Sequence, residues 1–186
     1  MKHTKVIVAV LLALCSFSAL YAQKPTLESL VAAIEAHDEA ELRALIAQGA
    51  NVNAANDFGT TPLLTAAQAN NADAIAILVK AGAKLERKDS MGTTALIQAA
   101  ASGSSDALRA LIAAGANVNA KQDTGATAIV FAESVEIAQL LINAGANLKA
   151  KDADGETMLE RAIGLAEYRG DEELTEYLRS ARKKKR

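Results

Sequence analysis

Apolar residues recur along the chain at the spacing of short amphipathic helices. The sets follow the spacing i, i+3, i+4 and, in the first of them, i+7, which places their members on one helix face, and they come in pairs separated by a few polar residues. The pattern predicts two short helices per unit, each with one face buried against a neighbour. The first pair is marked by Leu27, Leu30, Val31 and Ile34, followed by Leu42, Leu45 and Ile46.

Two series of glycines divide the chain at one common period. A Gly-Ala dipeptide follows each predicted helix pair, where a left-handed backbone favours glycine. A second glycine, with a threonine two residues later, marks a tight turn before the next pair. Successive copies are 33, 33 and 30 residues apart in both series. The two series are Gly49, Gly82, Gly115, Gly145 and Gly59, Gly92, Gly125, Gly155.

The repeated residues resemble the ankyrin repeat, and the resemblance covers roughly residues 26–181. It implies an all-α fold, a solenoid of about five helix-pair units with short β-hairpin or turn fingers on one side. It also implies a protein-binding function. The motif residues are Gly-Thr-Thr-Pro-Leu at 59–63, Ala-Ala at 66–67, Ile-Leu-Val at 77–79 and Gly-Ala-Asn-Val-Asn-Ala at 115–120.

We divide the chain into a leader at 1–22, a repeat domain at 23–181 and a basic tail at 182–186. Each unit is buried only against its neighbours, so the two terminal units must present polar outer faces. The predicted units are an N-terminal cap at 26–48, repeats at 59–81, 92–114 and 125–144, and a C-terminal cap at 155–182.

One family position is replaced throughout. Members of the family usually carry a histidine after Pro-Leu that hydrogen-bonds between units. Without it we expect this hydrogen-bonded network between units to be missing, with packing in its place and no functional meaning. The residues found there are Leu64, Ile97, Val130 and Glu160.

Two units depart from the common length. The third repeat lacks three residues around Glu133 and Ser134, which predicts a notch in the wall formed by the first helices. The C-terminal unit gains about four residues within 165–169, which predicts either a longer first helix or a bulging loop. Such changes either mark where a partner fits or reflect neutral drift.

The first 22 residues have the layout of a secretory signal peptide. Lys2 and Lys5 precede an apolar run from Val6 to Leu14, and smaller residues lead to Ala22. We expect cleavage after Ala22 and a periplasmic protein. Two alternatives stay open at this point: the leader is retained as a membrane anchor, or Cys15 carries a lipid.

Residue counts argue against catalysis and metal binding. A single cysteine, Cys15, and two histidines, His3 and His37, exclude a disulfide framework and a Cys/His zinc cluster. Asp-Ala-Asp-Gly at 152–155 opens like a calcium loop but lacks the later ligands, so we assign it to a hairpin turn. We expect a protein that is not an enzyme, with no catalytic residue, no cofactor and no metal.

The charge distribution bears on the partner. Residues 23–181 carry 13 Lys and Arg against 22 Asp and Glu, whereas the last five residues are all basic. An acidic body without aromatic residues among its cations argues against nucleic acid, and a short basic run after a helix is normally solvated. We expect a monomer that binds one exported protein, with no nucleic acid and no membrane contact.

By resemblance, the concave face of the stack is the predicted binding surface, built from finger tips and first helices. Phe58 ranks first because an aromatic residue at a finger tip has no core to enter, and interface hot spots favour aromatics. Met91 holds the same place one repeat later, Tyr168 is the second candidate, and Phe131 is expected in the core. The predicted contact residues are Asp57, Phe58, Thr60, Gln68, Asn70, Asn71, Ser90, Met91, Thr93, Ala101, Ser102, Asp123, Thr124, Glu133 and Tyr168.

Three functions fit a leader followed by a short repeat stack. The leading hypothesis is a specific inhibitor or immunity protein that binds a cell-wall hydrolase or toxin through the concave face. The second is a scaffold or chaperone supporting an exported redox enzyme such as a catalase. The third is a membrane-surface adaptor that uses the basic tail.

Overall fold

The computed structural model describes residues 25–184, so the predicted leader and the last two residues of the basic tail lie outside the described range. Within it the chain forms nine α-helices and one 3-10 helix, with no strand. In chain order they are α1 Leu27–Glu35, α2 Glu39–Ala47, α3 Pro62–Gln68, α4 Ala72–Lys80, α5 Ala95–Ala101, α6 Ser105–Ala113, the 3-10 helix η1 Ala128–Phe131, α7 Val135–Asn143, α8 Met158–Arg169 and α9 Glu172–Lys184.

The helices form two layers. The first helices of the five pairs, α1, α3, α5, η1 and α8, pack side by side, and the second helices, α2, α4, α6, α7 and α9, pack behind them. Alanines at the centre of α3 and α5 allow close approach because they add little side-chain volume, and all four are fully buried: Ala66, Ala67, Ala99 and Ala100. The expected all-α solenoid of five helix pairs is confirmed.

Threonine side chains cap α3, α5 and α8, as the glycine-threonine spacing predicts, whereas Thr127 before η1 makes no side-chain cap hydrogen bond. Thr61 Oγ1 accepts a hydrogen bond from the Leu64 N–H at 3.3 Å, and Pro62 follows in the first turn. Proline suits this position because its missing N–H would have no partner within the helix. Thr157 forms a capping box with Glu160 at the start of α8.

The glycine after a second helix ends that helix. Gly82 follows α4 with φ of +90°, a conformation that is strained for a residue with a Cβ. The next N–H, that of Ala83, donates to Leu78 O at 2.9 Å and satisfies a carbonyl of the last helical turn. The same geometry recurs after α2, α6 and α7.

The fingers between units are tight turns. The first finger closes with a hydrogen bond from Asn56 N–H to Thr60 O at 3.2 Å, and the second with one from Asp89 N–H to Thr93 O at 3.1 Å. One isolated antiparallel bridge, between Lys151 and Thr157, is the β-type pairing in the described part of the chain.

The family histidine is replaced by buried apolar side chains at three of its four positions, while Glu160 is exposed, and hydrogen bonds elsewhere join the units. Leu64, Ile97 and Val130 are each at most 3% exposed. Asn53, in the loop before the first finger, donates to Gly82 O at 3.0 Å and accepts from the Lys84 N–H at 2.9 Å. Neighbouring loops lie side by side in the stack, and their backbone groups need such partners because secondary structure does not pair them.

The third repeat and the C-terminal unit depart from the common length where the sequence predicts. The first helix of the third repeat is reduced to η1, whose four residues replace the seven of α3 and α5. The C-terminal insertion lengthens α8 to 12 residues without a bulging loop. Arg169, at the end of α8, donates to Ala132 O at 3.2 Å and lies 3.9 Å from the Glu133 carboxylate. The long helix therefore supplies a side chain to the end of the short one.

The last helix extends further than the sequence suggests. α9 continues to Lys184, so part of the segment assigned to a basic tail is helical. Between residues 25 and 184, no helix has the length and apolar character needed to cross a membrane.

Candidate protein-binding surface

Side-chain oxygens hold the first two finger tips in defined conformations. Asn56 Oδ1 accepts hydrogen bonds from the N–H groups of Phe58 at 3.0 Å and Thr60 at 2.9 Å. Asp89 Oδ1 accepts from Met91 and Thr93, both at 2.8 Å. Because one oxygen binds the tip from both sides, the backbone beneath Phe58 and Met91 is fixed before any partner arrives.

The fingers also pack on one another. The Ser90 N–H donates to Phe58 O at 2.9 Å, and the Asp123 N–H donates to Met91 O at 3.3 Å. Gly92 lies so close to the third finger that an added Cβ would come within 2.7 Å of Asp123 N. Consecutive tips therefore form one continuous platform.

A groove of about 410 Å³ opens between the first two fingers and the helices behind them. Both sides carry a large apolar side chain, since Phe58 is 72% exposed and Met91 is 65% exposed. Leu64 forms part of the floor, and two amides lie along the helices. The lining residues are Phe58, Thr60, Leu64, Gln68, Asp89, Ser90, Met91 and Gln98.

The predicted contact residues divide into those at this groove and those elsewhere. Five of them line it, and Asp57 is exposed beside Phe58 at the first tip. Asp123 and Thr124 are exposed on the third finger. The remaining exposed or half-buried members lie at the far ends of the first helices, opposite the fingers: Asn70, Ala101, Ser102, Glu133 and Tyr168.

Two predicted contact residues are buried, and we correct the set accordingly. Asn71 is 4% exposed because its side chain caps α4, accepting from the Ala74 N–H at 2.8 Å and donating to Ile34 O at 2.9 Å. Thr93 is 7% exposed and lies beneath the second finger. Neither side chain is available to a partner.

Asn70 is exposed but already engaged between units. Its Oδ1 accepts from the Ala107 N–H at 2.9 Å, and its Nδ2 donates to Asp106 Oδ2 at 3.3 Å. The Asn70 side chain therefore links the C-terminal end of α3 to the first turn of α6.

Sequence reasoning missed three residues of the groove, Leu64, Asp89 and Gln98. Leu64 was assigned to packing alone, yet it also forms part of the groove floor. Gln98 is the one polar residue of α5, whose sequence is Ala-Leu-Ile-Gln-Ala-Ala-Ala. A polar residue among buried apolar neighbours is the signal that marks this surface.

Tyr168 lies in a different setting from Phe58 and Met91. It is 87% exposed on the last turn of α8, next to the Arg169 that reaches Ala132 and Glu133. Phe131, which was expected in the core, is partly buried and packs against the core. Tyr168 therefore projects from the lengthened helix and is not part of the groove.

The Asp152 carboxylate of the fourth finger is held by several hydrogen bonds. Asp152 Oδ2 accepts from Arg161 at 2.5 Å, while Oδ1 accepts from the N–H groups of Asp154 and Glu156, both at 3.0 Å. Burial opposes ionisation of Asp152, but these hydrogen bonds outweigh it and lower the pKa of its carboxyl group. The Asp-Ala-Asp-Gly segment is a turn, as expected from the sequence.

Among residues 25–184, no group of three or more His, Cys, Asp or Glu side chains is placed to hold a metal ion. His37 lies exposed in the turn between α1 and α2, away from the fingers.

Comparison with known families agrees with the geometry. A family profile described as ankyrin repeats, in three copies, matches residues 30–122, which is half of the 186-residue chain. A search of curated proteins found no match. Ankyrin repeats are generally non-enzymatic modules that mediate protein–protein interactions, so the stack is a protein-binding module. The chain belongs to the ankyrin-repeat family.

Proposed function

We propose that this chain is an exported protein that binds one partner protein through the groove between Phe58 and Met91. In this proposal it acts in the periplasm as a specific inhibitor or immunity protein for a cell-wall hydrolase or toxin. The exposure of Phe58 and Met91, at 72% and 65%, is the observation that carries the proposal. Large apolar side chains held on hydrogen-bonded turns lose little freedom on binding, so they are suited to act as anchors.

The proposed mechanism is steric occlusion. The finger tips project from the stack as a connected platform, and a partner seated on them would have its cleft, or a domain next to it, covered. The acidic body, with 13 cations against 22 anions in residues 23–181, would speed the approach of a basic partner.

The leader supports export. Its cationic start, apolar run and small residues before Ala22 are typical of a cleaved signal peptide. Sequencing the N-terminus of the protein recovered from the periplasm of its source organism tests this step. We expect the chain to begin at Gln23, and a chain that begins at Met1 would contradict the proposed cleavage.

Binding is tested with immobilised protein comprising residues 23–186 and periplasmic extract of the source organism. A matched variant, Phe58→Ala with Met91→Ala, controls for non-specific recovery. We expect a hydrolase or toxin that is captured by the wild type and lost with the variant. Equal recovery by both proteins would contradict the assignment of the groove.

The activity of the recovered enzyme then distinguishes an inhibitor from a scaffold. We expect activity to fall as the wild-type protein is added and to stay constant with the Phe58→Ala, Met91→Ala variant. A redox enzyme whose activity is maintained or raised by the wild type would instead support a scaffold function.

A further inference from the structure

The groove between the first two fingers is acidic as well as apolar. Asp89 is one of its lining residues, and its Oδ1 holds the second tip, while Asp57 is exposed next to Phe58. The Asp123 carboxyl group lies directly over Gly92, beside Met91, since a Cβ added at Gly92 would collide with it. Each apolar anchor therefore has a carboxylate beside it.

No cation offsets these carboxylates within the groove, all of whose lining residues lie in the described part of the chain. None of the eight lining residues is Lys or Arg. The helices behind the fingers, α3 and α5, carry no charged residue at all. Lys88, at the base of the second finger, donates to Lys121 O at 2.6 Å on the neighbouring finger and does not line the groove. The groove thus combines apolar surface with one lining acidic residue, Asp89, has Asp57 and Asp123 on the finger tips beside it, and has no Lys or Arg among its lining residues.

We infer that the partner inserts a loop in which an arginine stands beside a large apolar side chain. This inference rests on the proposed function, because it concerns the element that docks at the same groove. Arginine fits better than lysine because its planar guanidinium stacks on an aromatic face and pairs with a carboxylate at the same time. Phe58 and Asp57 offer that combination on the first tip, and the apolar side chain of the loop packs against Met91.

The probe for this inference is a library of disulfide-closed seven-residue peptide loops displayed on phage and selected on the wild-type protein. We expect the enriched loops to combine arginine with Leu, Ile, Phe, Trp or Met. A synthetic peptide of the most enriched loop is then measured against variants. We expect Asp57→Asn with Asp123→Asn to bind the peptide about 3- to 10-fold more weakly than the wild type does. This difference in affinity is expected to shrink at high salt.

Two controls accompany this measurement. Glu173→Gln with Glu176→Gln removes the same number of exposed carboxylates from α9, at the end of the stack, and is expected to leave affinity unchanged. Replacing the arginine of the peptide by lysine keeps the charge and is expected to weaken binding several-fold. Asparagine is isosteric with aspartate, and neither Asp57 nor Asp123 caps a helix, so the fold is expected to be retained.

Several results would overturn the inference: no enrichment, enrichment of loops without a cation, or an affinity that Asp57→Asn with Asp123→Asn leaves unchanged. The Phe58→Ala, Met91→Ala variant separates this failure from failure of the proposed function. If the peptide loses affinity for the Phe58→Ala, Met91→Ala variant but not for Asp57→Asn with Asp123→Asn, the groove is the binding site and the arginine inference is wrong. If neither variant changes the affinity, the groove is not the binding site.

Discussion

The second and third units of the stack differ from the fourth in how they complete the turn between the two helices of a pair. In the regular units, α3 and α5 have seven residues each, and a left-handed residue, Asn70 or Gly103, leads into the second helix. In the fourth unit, η1 has four residues, and Arg169 of the next unit donates to the carbonyl of Ala132. A length change in one unit is therefore offset by a length change in its neighbour.

This difference bears on where a partner binds. The sequence left open whether the short repeat and the C-terminal extension serve a partner or reflect drift. Arg169 connects the two length changes structurally, because this residue of the lengthened α8 contacts the end of the shortened η1. The groove, in contrast, lies wholly in regular units, where fixed turns present Phe58 and Met91.

The largest expected effect comes from the regular core. Leu96, in α5, is 1% exposed, so Leu96→Ala is expected to lower the free energy of unfolding by about 2–5 kcal/mol. Leu165, in the extension of α8, is only partly buried, and Leu165→Ala is expected to cost about 1 kcal/mol. Chemical denaturation measures both. A larger loss for Leu165→Ala would contradict the comparison.

The close packing of the fingers is tested by substituting two glycines that both have a positive φ angle. Gly92→Ala is expected to destabilise the protein by about 3 kcal/mol, because φ is +76° and the new Cβ would collide with Asp123. Gly115, with φ of +89°, has nothing within 4 Å of an added Cβ, so Gly115→Ala is expected to cost about 1 kcal/mol. Equal thermal stability of the two variants would show that the fingers do not pack as described.

The bridge between the irregular units is tested by removing its donor. Arg169→Met keeps much of the side-chain volume and leaves Ala132 O without this partner, so a loss of about 1–2 kcal/mol is expected. Arg179→Met breaks an exposed pair with Glu167 on the same unit and is expected to cost less than about 0.5 kcal/mol. Urea denaturation measures the free energy of unfolding of both variants. A larger loss for Arg179→Met than for Arg169→Met would contradict the bridging role of Arg169.

The smallest effect concerns the fourth finger and depends on pH. Asn56 makes the same turn hydrogen bonds in the first finger, so Asp152→Asn should remove only the charge pair with Arg161. The folded pKa of Asp152 is lowered, so its stabilisation is complete above the unfolded carboxyl pKa of about 4 and is lost as pH falls through the folded value.

Stability curves of the wild type and Asp152→Asn therefore test this pairing. We expect the wild type to be more stable at about pH 7 and the two proteins to converge as the pH falls below about 4. A gap between them that widens on acidification would contradict the sign of the pKa shift.

The period of the sequence was sufficient to predict the helix pairs and the helix-ending glycines, because both follow from local spacing, and the resemblance to ankyrin repeats placed Phe58 and Met91 at exposed finger tips. Burial of Asn71 and Thr93 was missed because it depends on which side of a turn a residue faces, and adjacent residues face opposite ways. Arg169 was missed for another reason: its partner, Ala132 O, is a backbone atom 37 residues away, which no side-chain pattern marks.

The central claim is that the regular units bind the partner through Phe58 and Met91. Isothermal titration of the recovered partner against the wild type, Phe58→Ala with Met91→Ala, and Tyr168→Ala tests it most directly. We expect the double variant to bind at least about 30-fold more weakly, as for interface hot spots, and Tyr168→Ala to bind within about 3-fold of the wild type. Full affinity for the double variant together with a large loss for Tyr168→Ala would contradict the claim and place binding on the lengthened helix.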